Sequence, residues 1–370
     1  MRIAIFHELT LGGARRVANE FGKGLKGNHL VDLYYVGEKY YKEEEDFYSK
    51  IHFYKFMLKI WKGSNWKVRL YKDTIELLRL YLLHKKIADV IDKKNYDLVI
   101  VHPSKVTQAP FLLRFLKTKK IYYAHEIYRI MYEPVFRFRK SEYPFKYIYE
   151  TITKFIKKVI DKNNTKKAGI IFVNSNHTKK GFSRFYNRKT IVCYPGVDYK
   201  FFSPKIVKRN IDILFVGSLD YQTDEYALFK NSIHFINKNV RIKVIGGEQN
   251  WISDKELLDY YRKSKIVVCT ARNEPLGLVP LEAGSCGTPA IAVNDGGYKE
   301  TIIKGKTGYL VRRHPKAIAS VINRALKNEV ILGKLGKNAR ERIINNWRWG
   351  TSVKRLESLL TYYFQNNSAP

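Results

Sequence analysis

Acidic residues are scarce in this chain: its 370 residues carry 34 Asp and Glu against 68 Lys and Arg, a formal net charge of +34. Such a field favours an anionic partner. Cysteine is scarcer still. Cys193, Cys269 and Cys286 are scattered and odd in number, with no C-x-x-C or Cys/His cluster, which fits a reducing compartment and neither a disulfide framework nor a cysteine metal site. No apolar run approaches the ~20 residues of a spanning helix, and the short strand after Arg2 is far too brief for the apolar core of a signal peptide. The expected location is cytoplasmic, with peripheral attachment to the cytoplasmic face of a membrane left open.

The length suits two domains of ordinary size, each able to bury its own core. Short apolar strands alternate with helical stretches, which argues parallel sheets covered on both faces and hence two doubly wound α/β halves. The first half has strands near Ile3, Val31, Leu98, Ile121 and Ile170; the second has strands near Ile213, Ile242, Ile266, Pro289 and Leu310. Pro195 to Asn210, with Pro204 and a polar run, reads as the hinge. Domains are expected over 1–200 and 205–348. There is no internal sequence repeat.

Residues 274 to 297 hold two glutamates, Glu274 and Glu282, across a Gly/Pro-marked junction. Upstream lies the apolar strand Ile266 to Thr270. Downstream, Leu278 to Cys286 reads as a short helix stopped by Gly287 and followed by the strand Pro289 to Val293. A helix start offers free amides to phosphate. Glu274 precedes that start and Glu282 lies eight positions on, about two turns and roughly 10 Å at ~1.5 Å rise per residue, a gap that one nucleotide sugar could span.

The stretch resembles the E-x7-E signature of retaining, two-domain (GT-B) glycosyltransferases of family 4, the sucrose-synthase and mannosyltransferase group. Leu11-Gly12-Gly13-Ala14-Arg15 resembles that family's first glycine-rich loop. Tyr96 to His102 and Ile121 to His125 resemble its central strands, Val173-Asn174-Ser175 and Tyr194 to Asp198 its joining segment, and Phe215-Val216-Gly217 the opening of its second domain. The resemblance implies two Rossmann-like domains facing a central cleft. The first, 1–200, would bind acceptor and the second, 205–348, nucleotide sugar, with a final helix near 350–365 crossing back onto the first.

By resemblance, Glu282 accepts hydrogen bonds from ribose hydroxyls, Glu274 contacts the transferred sugar and His125 reaches it from the first domain. Gly12 and Gly13 let the backbone approach the phosphates, and amides near Gly277 and Leu278 meet them from the other side. Arg129, Tyr132 and Glu133 follow His125 in a segment found in some members, and Arg129 and Tyr132 are candidates for acceptor contact. His102 also ends a strand and reads more readily as structural. No D-x-D triplet occurs in the chain, so the metal-clamped diphosphate of the other large glycosyltransferase fold lacks its ligands. No cofactor or metal is expected. The donor is a nucleotide diphosphosugar, the acceptor a glycan or lipid-linked molecule of cell-surface synthesis. Retention of configuration follows from the resemblance: transfer proceeds on the donor's front face, with the leaving phosphate taking the acceptor's proton.

The chain departs from the family at its phosphate clamp. Where the family carries an arginine and, five residues on, a lysine, this sequence has Ser218 and Thr223. Arg272 is the best-placed replacement, and Ser218 keeps one neutral hydrogen bond, weaker than a charge-assisted one. Loss of the clamp leaves open a catalytically silent binding or scaffold subunit; an epimerase of the same architecture is the other near alternative.

Charge is distributed unevenly. From Phe47 to Lys72 there is no acid, while lysines interleave with aromatics that include Trp61 and Trp66; a second basic, aromatic stretch runs from Phe136 through Lys158. Aromatics with lysines suit the interface of an anionic bilayer and, less well here, nucleic acid, since no recognised nucleic-acid module accompanies them. A core-packed helix pair with solvated lysines is the plain alternative.

Overall fold

The computed structural model describes residues 1–57, 66–133, 144–217, 225–237, 239–246 and 252–366. Trp61, Ser218 and Thr223 lie outside these residues, as does the start of the basic, aromatic stretch from Phe136 to Lys158. The chain divides into two compact units. The first comprises Met1–Asn174, Thr178–Cys193 and Leu356–Pro370; the second comprises Ser175–His177 and Tyr194–Arg355. The expected hinge at 195–210 therefore belongs to the second unit, where Val197 N donates to Trp347 O at 2.7 Å.

In the first unit run β1 (Arg2–His7), α1 (Gly13–Lys26), β2 (Leu30–Gly37), β3 (Lys50–Lys55), α2 (Trp66–Tyr71), α3 (Leu77–Asp92) and β4 (Leu98–Val101). There follow α4 (Leu112–Phe115), β5 (Lys120–Ala124), α5 (Arg129–Tyr132), α6 (Pro144–Lys166), β6 (Ile170–Val173), α7 (Asn176–Tyr186) and β7 (Ile191–Val192). The strands form one parallel sheet in the order β3-β2-β1-β4-β5-β6-β7. Its central strands are apolar on both faces; every residue of β4 is buried, as a sheet covered by helices on both sides requires.

Two of these strands are not legible in the sequence. The edge strand β3, Lys-Ile-His-Phe-Tyr-Lys, is only half-buried and shows no period-two alternation, and β7 is two residues long. The acid-free stretch from Phe47 to Lys72 is thereby divided. Tyr48 is buried, Phe53 packs on Tyr35 with ring centroids 5.5 Å apart and Tyr54 stacks on Tyr34 at 6.4 Å. These aromatics serve the sheet and its core.

The second unit holds β8 (Ile211–Val216), α8 (Glu225–Ile233), β9 (Ile242–Ile245), α9 (Asp254–Lys263), β10 (Ser264–Cys269), α10 (Leu278–Ser285), β11 (Ala290–Val293), α11 (Tyr298–Thr301) and β12 (Gly308–Val311). Helices α12 (Pro315–Leu326), α13 (Glu329–Asn346) and α14 (Trp349–Asn366) follow. Its parallel sheet has the order β12-β11-β10-β8-β9. All five strands fall where the apolar runs predict. Helix α9 starts with a capping box: Ser253 N donates to the Glu256 carboxylate at 2.8 Å and Glu256 N to Ser253 Oγ at 3.2 Å, an arrangement that contributes about 1 kcal/mol. From Leu356 on, α14 counts with the first unit, where Asn28 donates to Glu357 at 3.0 Å.

Each strand order reverses once. In the first unit the chain leaves β1 toward β2 and β3, then resumes at β4 on the other side; in the second it leaves β8 toward β9 and resumes at β10. Open parallel sheets bind ligands outside the carboxyl ends of the strands at such reversals. No helix among the described residues is long and apolar enough to cross a membrane.

Candidate functional site

In the second unit the reversal places the ends of β8 and β10 side by side. The segment after β10 turns at Asn273, whose φ is 49°, and brings Glu274 onto the loop between β11 and α11. Gly297 N donates to Glu274 O at 2.7 Å, and Asn273 N donates to Asp295 Oδ2 at 3.2 Å. A Cβ on Gly296, at φ 53°, would collide with the Glu274 backbone, and one on Gly297 would collide with Leu276. Asp295-Gly-Gly is thus the seat of the Glu274 turn. Two backbones approach there so closely that no side chain fits.

Gly277, left-handed at φ 92°, ends the turn and caps α10. Its amide donates to Glu274 Oε1 at 3.2 Å, so the amide expected to meet phosphate is held here by the Glu274 carboxylate. Leu278 opens the helix half-buried. A Cβ on Gly277 would stand 2.7 Å from the ring of Tyr298, which is buried beneath the turn. Burial, then Glu274, raises the Tyr298 phenol pKa. Glu282 is buried on α10 and accepts from the Tyr261 hydroxyl at 3.0 Å.

Beside the turn, the buried carboxylate of Glu225 lies against Gly217 at the end of β8, and Thr270 Oγ1 donates to Glu225 O at 2.6 Å. Two arginines stand at the same edge. Arg272 is half-buried two residues before Glu274, and Arg313, just past β12, donates from a guanidinium nitrogen to Thr270 O at 2.5 Å. Glu225, Tyr298 and Arg313 escape a motif reading, although Arg313 was findable from the rule that strand carboxyl ends face the ligand.

In the first unit three adjacent strands end in histidines: His7 on β1, His102 after β4 and His125 after β5. His102 Nδ1 and His125 Nε2 are 3.1 Å apart, with the rings stacked at 5.3 Å. Burial lowers the pKa of each, that of His125 to about 3, so all three are neutral near pH 7. One nitrogen of the His102–His125 pair must then donate and the other accept. His102 Nε2 is buried with no partner among the described residues. A proton there would be an orphaned donor, the rarer and costlier arrangement. We therefore assign the proton to His102 Nδ1, which donates to His125 Nε2 and leaves the proton of His125 on its Nδ1.

Gly12 lies at φ 145° and ψ −175°, a region open to glycine alone. It delivers the chain from β1 into α1, which starts at the half-buried Gly13. The loop is pinned from below by Arg15, fully buried, whose guanidinium forks onto Glu44 at 2.7 and 2.8 Å and reaches Leu9 O at 3.2 Å. Glu8, after β1, accepts from Ser104 Oγ at 2.9 Å and pairs with His84 at 2.9 Å. The two acceptor candidates are engaged locally: Arg129 donates to Glu133 at 3.1 Å, and Tyr132 packs on Phe185 and Tyr186 with centroids near 5.0 and 5.1 Å. Trp66 opens α2.

Known proteins share this architecture. Sucrose-phosphate synthase from Thermosynechococcus elongatus superposes with a TM-score of 0.72 at 16% identity, covering 99% of this chain and 100% of that one. Anabaena HepE in complex with UDP and glucose gives 0.71 at 16% identity over 98% and 100%. These likenesses show the fold, two doubly wound halves of the GT-B kind. Spore coat protein SA of Bacillus subtilis is 29% identical over 168 residues, 44% of this chain and 43% of that protein. The chain spans about half the length of the curated relatives it matches. The model of the family "Glycosyl transferases group 1" matches residues 154–342, half of the chain and the whole of the sheet edge that carries Glu274, and the chain belongs to that family.

Proposed function

We propose that this protein is a hexosyltransferase that moves a sugar, with retention and without a metal, from a nucleotide diphosphosugar to a glycan or lipid-linked acceptor of the cell surface. The observation that carries the reading is the Glu274 turn, locked onto Asp295-Gly-Gly at the strand-order reversal and opening directly into α10. Leaving of a nucleoside diphosphate gathers negative charge on phosphate oxygens, which preorganised donors stabilise. The starts of α1 and α10 supply backbone amides for this. Arg272 supplies the charge that the family's missing clamp would have given, and Arg313 adds to it.

Glu274 accepts from hydroxyls of the transferred sugar, and in doing so gives up its bond to the Gly277 amide. That exchange frees the amide for phosphate as the donor binds. Glu282 takes the ribose hydroxyls with its carboxylate, and His125 donates from Nδ1 to the sugar. The fold neighbour that holds UDP and glucose supports a uridine nucleotide as the first donor to test. Hydrolysis and thermal shift across a panel of uridine, guanosine and adenosine diphosphosugars, with and without chelator, tests the reading. Binding of none of them would defeat it, and loss of turnover in chelator would defeat metal independence.

One observation favours a second reading. The buried Glu225 carboxylate stands against Gly217, beside the place where the family carries cations, so a silent member that binds no donor is the alternative that the same panel decides.

A further inference from the structure

Helix α6 is turned inside out. A row of its polar residues faces the protein: Tyr149 donates to Asp73 at 2.9 Å, Glu150 accepts from Arg69 at 2.9 Å, Lys157 pairs with Asp73 at 2.6 Å and Asn164 donates to Ala109 O at 2.6 Å. Its apolar residues face out. Phe145 is 87% exposed and Phe155 66%, with Ile148, Ile152, Ile156 and Val159 each 40% or more. Positions 145, 148, 152, 155, 156 and 159 follow the period of one helix face, the pattern that on a surface helix normally points to the core. A second outward series, Ile75, Leu78 and Leu82, runs into and along α3, the neighbour to which Asp73 ties α6.

An apolar face of this extent on a water-facing helix marks an interaction surface. The charges around it identify the partner. The only carboxylates on α6, Glu150 and Asp161, are turned inward, whereas Lys146, Lys162 and Lys166 are exposed. A second copy of the chain would bring the same lysines and another net charge of +34 against them. An anionic surface would meet them with opposite sign.

We propose that the outer face of α6 seats in the interface of an anionic lipid bilayer, with the helix lying in the membrane plane, its apolar side chains among the acyl chains and its lysines at the headgroups. This adds to the Phe47 to Lys72 stretch, where Tyr48, Phe53 and Tyr54 are spent on the sheet and its core, a helix whose inner polar side is already bonded to the protein. The inference stands apart from the transferase reading, because vesicle binding requires no donor.

The test is co-sedimentation of the full chain, without nucleotide, with vesicles of phosphatidylcholine plus phosphatidylglycerol and with vesicles of phosphatidylcholine alone. Wild type should pellet with the anionic vesicles and be released by salt. The variant Phe145→Ser/Ile152→Ser/Phe155→Ser should lose on the order of a hundredfold in partitioning. Its side chains are exposed, so its thermal midpoint should be unchanged, and Phe145→Ser alone should show a partial loss. Three results would overturn the proposal: wild type left in the supernatant of anionic vesicles, a triple variant that pellets like wild type, or a wild-type dimer that the triple variant converts to monomer without any change in vesicle binding.

Discussion

At the carboxyl edge of the seven-stranded sheet three histidines stand side by side, all neutral; at the same edge of the five-stranded sheet the side chains are glutamates, a tyrosine and two arginines. Similar folds place these edges equivalently, and the chemistry differs because the residues do: burial neutralises histidines at one edge, while the other carries carboxylates and guanidinium groups. In the first unit burial strips the histidines of charge, which leaves backbone amides as the donors at that edge that favour an anion. In the second, the Glu274 carboxylate accepts from the Gly277 amide while its main-chain carbonyl accepts from Gly297 in the Asp295-Gly-Gly seat. The proposed function gives the neutral edge a positioning role and the charged edge a stabilising one.

The largest expected effect breaks the charged edge. Glu274→Ala removes the sugar contact and should cost on the order of 10³ in turnover, with a smaller loss of nucleotide affinity measured by calorimetry. Equal losses in both would take Glu274 away from the sugar. Arg272→Ala should cost on the order of 10² in turnover, about 2.7 kcal/mol, and wild-type activity in that variant would refute the substitution of Arg272 for the family clamp. Glu225→Gln acts in the opposite direction: removing the carboxylate beside Gly217 should tighten nucleoside diphosphate binding about tenfold, ~1.4 kcal/mol. Unchanged affinity would place the phosphates elsewhere.

The neutral edge answers to smaller changes. His102→Phe deprives His125 Nε2 of its donor and should lower kcat about tenfold while shifting the acid limb of the pH profile upward; His102→Gln, which can still donate, should retain more activity. A purely structural role would lower the thermal midpoint in both variants and leave the profile in place.

Stability should follow pH for the same reason. Histidines whose folded pKa lies below the unfolded value near 6.5 contribute stability that is fully present above that value and is lost as pH falls toward the folded one, at up to about 1.4 kcal/mol per pH unit for each. Asp161 opposes them. Burial raises its pKa to about 7, so its contribution is present below the unfolded value near 3.9 and is lost as pH rises toward 7. Three histidines outweigh one aspartate, and acidification from pH 7 to 5 should weaken hydrogen-exchange protection in the first unit more than in the second.

The second sheet and the Glu274 turn were legible in the sequence because apolar strands bounded by Gly and Pro leave a strong local signal, and because the Gly-Gly after Asp295 answers a backbone contact that admits no Cβ. What was not legible depends on tertiary neighbours. Strand β3 has no alternation because it lies at a half-covered edge. The pairing of His102 with His125 joins residues 23 apart in the chain, and the tautomer it imposes follows only from the orphaned Nε2. The outward turn of α6 is invisible to periodicity, which reports an amphipathic helix without saying which face the protein takes.

In the proposed reaction the charged edge around Glu274 binds a nucleotide diphosphosugar and the chain transfers its sugar. Titration of wild type and Glu274→Ala with UDP-glucose and the other diphosphosugars, followed by turnover on the donor that binds, tests it most directly. Wild type should bind at least one donor saturably, Glu274→Ala should retain most of that binding, and turnover in the variant should fall by on the order of 10³. A wild-type protein that binds no nucleotide sugar, or a Glu274→Ala variant that turns over like wild type, would contradict it.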